Sequence, residues 1–252
     1  MYAVLILGTA GSGKSTLASR LVEWYTSKGA NAVTLNLDPG VTDLPYEPDV
    51  DVREYVSVEE IMDRYRLGPN GALVLASDLI ADRLEDIQRD VDGLNPDYLI
   101  VDTPGQLELF AYRASGVMIA RELRCDAKAS VFLFDSMLVD SPLNMLSIAL
   151  LATSIRLRLG LAHLNVLSKI DLVRDRLDEI IGYSADPARL EYALQMEKDS
   201  ELYMLGVSIL RGVRRYGLSM GLLAVSSLTY EGMANLAAAL ARMLREGEDA
   251  EQ

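Results

Sequence analysis

The stretch Tyr2-Ala-Val-Leu-Ile-Leu-Gly8-Thr-Ala-Gly-Ser-Gly13-Lys14-Ser15-Thr16 opens on an unbroken apolar run, turns through three glycines and continues into an amphipathic pattern. Tyr2 to Leu7 reads as a strand buried on both faces. Leu17, Leu21, Val22, Trp24 and Tyr25 then recur at helical spacing and stop at Gly29, so a helix follows the loop. Strand, glycine-rich loop and helix in this order fit the phosphate-binding pattern Gly-x-x-x-x-Gly-Lys-Ser. Glycines let successive amides point inward at phosphate oxygens, and the helix N-terminus adds roughly half a positive charge. The amides of Ala10, Gly11, Ser12 and Gly13 are therefore expected to cradle phosphates, with Lys14 reaching the terminal ones. The Ser15 hydroxyl is expected to ligate Mg2+, and Thr16 to lie near the α-phosphate. A glycine-rich turn with no ligand is the blander reading, and the flanking strand and helix weigh against it.

Working outward, further apolar runs bounded by turn residues occur at Ala32 to Leu37, Tyr98 to Val101, Ser130 to Phe134, Leu164 to Leu167 and Leu222 to Val225. Helical patterns lie between them, ending in the stripe Met233, Leu236, Leu240, Met243, Leu244. Such alternation predicts an α/β fold, a mostly parallel twisted sheet with helices on both faces and ligands at the carboxyl ends of its strands. Residues 1–252 read as one domain in which two stretches break the rhythm. The first, 38–77, is rich in proline and charge; the second, 175–216, is largely helical, and either a lid or extra packing at a sheet edge accounts for it. The acidic tail from Glu246 to Gln252 is expected to fray.

Charge and composition narrow the function. With 24 Lys plus Arg against 37 Asp plus Glu, the net charge of −13 provides no broad basic field for nucleic acid or an anionic membrane. Phosphate must then be caught locally. The longest apolar stretch, Leu143 to Thr153, falls short of the roughly 20 residues that cross a bilayer and reads as a core helix. One cysteine, Cys125, cannot form an internal disulfide and suits a reducing, cytoplasmic compartment, although a buried thiol explains it as well.

The run ending at Val101 delivers Asp102 to a strand end, followed by Thr-Pro-Gly105-Gln106. Asp102 there suits Mg2+ bound through water, the Gly105 amide can sense the γ-phosphate, and the neutral Gln106 amide can hold an attacking water in line. Alone, Asp-Thr-Pro-Gly is a plausible surface turn; beside the glycine-rich loop the functional reading prevails. Base choice rests on Ser168-Lys169-Ile170-Asp171, which follows another strand. A carboxylate at Asp171 can accept both N–H donors of guanine while the Lys169 stem lies along the purine. Ser227 and Leu228, after the last strand, offer backbone to the guanine carbonyl. The alternative for Asp171 is a simple helix cap.

Together with Asn36-Leu-Asp38-Pro39, Leu44-Pro45-Tyr46, Asp51-Val-Arg53, Gly68-Pro69-Asn70, Asp102-Thr-Pro-Gly105-Gln106-Leu-Glu108 and Ser226-Ser227-Leu228, these motifs make the chain resemble the GPN-loop GTPases over nearly its whole length. The resemblance implies GTP hydrolysis to GDP by a homodimer in which Asn70 of one subunit approaches the γ-phosphate of the other. It also implies that Asp38 lies near the magnesium and attacking water, ranked after Gln106. Eukaryotic members are linked to assembly and nuclear import of RNA polymerase, so a nucleotide-gated assembly role with a protein client comes with it. One departure stands out: Ser168 occupies a position where GTPases usually have Asn or Thr, and the shorter hydroxyl can replace the bridging bonds of Asn only in part.

An ATP-dependent ATPase or phosphotransferase on a similar sheet is the rival reading. Ser-Lys-Ile-Asp argues against it, as does the lack of an extra lysine between Gly8 and Gly13. Metal-insertion relatives use Cys and His clusters, whereas this chain has one of each, with His163 reading as a strand residue. Phe110, Tyr112, Tyr203 and Trp24 read as core, and Arg53 and Lys28 as solvated surface charges.

Overall fold

The computed structural model describes residues 1–196, 200–215 and 221–251. Its seven strands are β1 (Tyr2–Gly8), β2 (Ala32–Asn36), β3 (Val50–Asp51), β4 (Tyr98–Asp102), β5 (Ala127–Asp135), β6 (Ala162–Ser168) and β7 (Leu222–Ala224). They form one sheet in the order β3-β2-β4-β1-β5-β6-β7. Every pairing is parallel. The sequence leads to all of these but β3, whose two residues are too short to leave a periodic signal. Strand β5 starts ahead of Ser130, because Lys128 interrupts its apolar run while its backbone still pairs with Ala3.

The helices are α1 (Lys14–Ser27), α2 (Val58–Tyr65), α3 (Pro69–Asp82), α4 (Leu84–Gly93), α5 (Leu107–Phe110) and α6 (Ala114–Glu122). They continue with α7 (Pro142–Leu159), α8 (Leu177–Ala185), α9 (Pro187–Gln195), α10 (Ser200–Arg215) and α11 (Met233–Glu251). Strand periodicity decides which face each covers. Ala3, Leu5 and Leu7 point into one cluster with Ile61, Ile80, Ile87, Phe110, Ile119, Met145, Ile180, Leu190 and Leu210, so α2 to α10 share that face. Val4 and Ile6 point the other way, into a cluster with Leu17, Leu21, Leu236 and Leu240 of α1 and α11.

Three local readings can be set against the structure. Gly68-Pro69-Asn70 reads from sequence as a tight turn; it is instead the start of α3, with Pro69 in its first turn, where proline's fixed φ suits a helix and its missing N–H breaks no bond. Between 175 and 216, helices α8 to α10 bury Ile180, Leu194 and Val207 in the larger cluster; Tyr216 lies outside the described residues. Helix α11 continues to Glu251 through the stretch expected to fray, and Gln252 lies outside the described residues.

Candidate functional site

Parallel pairing lines up the strand ends. Ile6 pairs with Asp102, Gly8 with Leu133, and Asp135 with Ser168, so the motifs of β1, β4, β5 and β6 emerge side by side on one edge. Gly8 must be glycine: a Cβ there would lie 2.6 Å from the Ser12 Oγ and 3.2 Å from the Leu133 carbonyl oxygen. Gly13, at φ 93, holds the left-handed conformation from which α1 begins.

Lys14 is only 6% exposed. Its Nζ donates to the carbonyls of Gly8 and Thr9, both at 3.1 Å, so the amine lies back along the loop. Burial lowers its pKa, while the carboxylates of Asp102 and Asp38 oppose that shift. Asp102 is 2% exposed, and burial raises its pKa against the pull of Ser15, Tyr46 and Lys14. Its Oδ2 accepts from the Tyr46 hydroxyl at 3.1 Å, the nearby Ser15 hydroxyl helps hold the carboxylate's pKa down, and Oδ1 is buried with no hydrogen-bond partner. An unsatisfied carboxylate oxygen beside a serine hydroxyl is a hard-donor arrangement, and Mg2+ fits it. Among the described residues no group of three or more His, Cys, Asp or Glu is placed to hold a metal ion.

The loop after β2 closes over this edge. Asn36 donates to Asp51 Oδ1 at 2.9 Å and accepts from the Asp38 amide at 3.0 Å. Arg53 grips Asp51 at 2.6 Å and donates to the Val41 carbonyl at 3.0 Å, so it is a structural tie, not the solvated charge expected from sequence. Asp38 is thereby aimed at the phosphate loop: Oδ2 accepts from the Gly105 amide at 3.2 Å and Oδ1 from the Gly40 amide at 3.0 Å. Gln106 follows, exposed at the start of α5. Asn70 is exposed in the first turn of α3, and no described contact joins it to Lys14, Asp38 or Gln106.

At the base end, Ser168 is buried and donates to the Ser12 carbonyl at 2.8 Å. The hydroxyl therefore makes the tie to the phosphate loop for which sequence favours Asn. Lys169, at φ 58, turns its amine to the Gly11 carbonyl at 2.6 Å and to Asp135 at 2.7 Å. Asp171 is not a helix cap; its Oδ1 accepts from the Ser226 hydroxyl at 2.6 Å, which fixes the carboxylate. Ser227 and Leu228 follow β7, Leu228 being 72% exposed. Thr16, Ala10 and Gly11 lie in the loop and first turn as expected. Elsewhere, Phe110 is core and His163 lies in β6, while Tyr112 is 39% exposed.

Sequence reasoning assigned no role to Asp135 or Tyr46. Asp135 ends β5 one residue after the apolar run, and a carboxylate at a strand end is the signal that could have found it. Tyr46 lies in an irregular loop where no periodicity predicts its partner.

Comparison with known proteins follows the same lines. A family model described as a conserved hypothetical ATP-binding protein matches residues 6–246. GPN-loop GTPase 3 of Eremothecium gossypii is 33% identical over 223 residues, covering 85% of this chain and 82% of that protein. GPN-loop GTPase 3 of Kluyveromyces lactis is 32% identical over 221 residues, covering 85% and 82%. The crystal structure of a GTPase in apo form from Pyrococcus abyssi superposes with a TM-score of 0.85 at 30% identity, covering 96% of this chain and 97% of that one. The family model's description names ATP, whereas the relatives and the solved neighbour are GTPases by name. The chain belongs to the GPN-loop GTPases and is a P-loop enzyme that binds and hydrolyses GTP.

Proposed function

We propose that the chain works as a magnesium-dependent, cytoplasmic homodimer whose nucleotide state switches it during assembly of a larger protein complex. The observation that carries the switch is the position of Asp38: one carboxylate joins the loop after β2 to the Gly105 amide, which is the group suited to sensing a γ-phosphate. Arrival of GTP then changes what Gly105 holds, and the loop responds.

In this mechanism the loop amides of residues 10–13 orient the phosphates, and Lys14 swings from the Gly8 and Thr9 carbonyls to the β- and γ-phosphates. Ser15 and Asp102 would hold magnesium, which when bound would supply neutralisation of charge on the phosphates. Gln106 and Asp38 position water, and Asn70 of the partner completes the site. Asp171, steadied by Ser226, selects guanine with Lys169, Ser227 and Leu228 framing the base. Family resemblance points to a protein client such as RNA polymerase subunits. The −13 charge argues against nucleic acid, and among the described residues no helix is long and apolar enough to cross a membrane.

The test is phosphate release from GTP and ATP with magnesium, measured beside the solution mass with GDP and with a non-hydrolysable GTP analogue. GTP-selective turnover by a dimer is expected. Full activity in a monomer removes the trans role of Asn70, and preference for ATP removes the role of Asp171.

A further inference from the structure

Tyr46 divides the two oxygens of Asp102 between different tasks. Tyr46 is half-buried and packs against the cluster formed with α1 and α11. Its hydroxyl donates to Asp102 Oδ2, at the end of β4, at 3.1 Å. The other oxygen, Oδ1, is fully buried and unpartnered. A carboxylate free to rotate presents either oxygen; a donor fixed on one of them sets the plane and leaves the second aimed one way.

We propose that Tyr46 is a positioning residue for the magnesium that accompanies GTP, holding Asp102 by Oδ2 so that its buried, unpartnered Oδ1 is left for the metal. The inference rests on the reading of Ser15 and Asp102 as the magnesium side of the site. It goes beyond that reading by placing a residue of the β2–β3 loop behind the metal. Tyr46 shares this loop with Asp38 and Gly40, so the loop meets the phosphate edge twice, at Gly105 and at Asp102. Metal affinity and loop order are thereby coupled through one phenol.

Partners behind a metal ligand typically change metal affinity about 10- to 100-fold when removed. The experiment titrates magnesium into the full chain carrying a fluorescent GDP, and reads the concentration that half-saturates nucleotide retention. Wild type, Tyr46→Phe and Asp102→Asn are compared, each also in EDTA. Tyr46→Phe deletes one oxygen and is expected to raise the magnesium midpoint roughly tenfold, while GDP affinity in EDTA stays within about twofold of wild type. A midpoint that does not move, or an equal loss of GDP affinity in EDTA, overturns the inference and makes Tyr46 a packing residue. Asp102→Asn separates the two levels. If it moves the midpoint and Tyr46→Phe does not, only the role of Tyr46 fails; if neither moves it, the metal reading fails as well. Hydrogen exchange on the wild-type protein gives an answer even if Tyr46→Phe does not fold: magnesium added at constant GDP is expected to slow exchange around Tyr46 at least about threefold, and unchanged exchange there overturns the coupling.

Discussion

The Asp38 carboxylate and the Gly105 amide meet at 3.2 Å, joining the loop after β2 to the loop after β4 at the mouth of the phosphate site. A γ-phosphate seeking that amide must displace an acceptor already in place. Asp38→Ala is therefore expected to raise the affinity for GTP relative to GDP several-fold, because the amide is released. It is also expected to slow hydrolysis by roughly 10²-fold through loss of a group that orients water. Equilibrium binding of both nucleotides with single-turnover hydrolysis checks this, and a fall in GTP affinity with unchanged chemistry counts against it.

Gln106 is exposed and touches water more readily than protein, so its removal is expected to act on chemistry alone. Gln106→Ala should slow single-turnover hydrolysis on the order of 10- to 100-fold and leave GTP affinity within about threefold. An equal loss in binding restricts Gln106 to a structural part.

A trans role for Asn70 can be tested by mixing. Asn70→Ala alone is expected to bind nucleotide, remain dimeric and fail to hydrolyse. Lys14→Ala alone is expected to fail at the phosphates. Mixed dimers of the two contain one intact pairing, a native loop facing a native Asn70, and should recover activity. No recovery on mixing, with exchange of subunits shown by mass, places Asn70 in its own subunit's site.

How much of this was readable beforehand follows from physics. The buried strands and the phosphate loop were legible because both leave local signatures: unbroken apolar runs and a fixed glycine spacing. Strand β3 was not, since a two-residue element is held by register with β2 and not by its own pattern. The start of α3 is not legible because Gly-Pro-Asn suits a turn locally, and only burial of Ala72, Ala76 and Ile80 extends it into a helix. Tyr46 acquires its partner across the fold, and no sequence spacing announces it; Arg53 pairs with Asp51 two residues away, a local pairing that the residue types alone left as surface charge.

Ser168 and Ser12 test the base end. Ser168→Ala deletes a buried hydrogen bond worth about 1 kcal/mol and is expected to weaken GDP binding about fivefold. Asp171→Asn is expected to weaken guanine nucleotides on the order of 10²-fold while leaving ATP unchanged. Competition binding with GDP, ADP and their triphosphates gives both numbers. Equal weakening of both bases removes Asp171 from recognition.

His163 sets part of the acid limit. Its Nδ1 lies 2.8 Å from the Ser130 Oγ, and burial lowers its pKa to about 4. The folded state therefore resists a proton that the unfolded chain accepts near its ordinary value of about 6.5. This contribution is full above that value, falls as pH drops through the window and is lost by about 4, on the order of 2–3 kcal/mol. Denaturant unfolding between these limits should show a shallower pH slope for His163→Gln than for wild type; equal slopes assign the acid limit to carboxylates.

Pro69 in the first turn of α3 bears on how Asn70 meets anything outside its own subunit. A side chain on a slack loop must be immobilised at every encounter, and each encounter bears that entropy anew. Asn70 stands instead on a preformed helix end, ordered once when the chain folds. In the proposed dimer, Asn70 would reach a second subunit as a fixed stylus and not as a closing flap, and encounters would be governed by how the two bodies align.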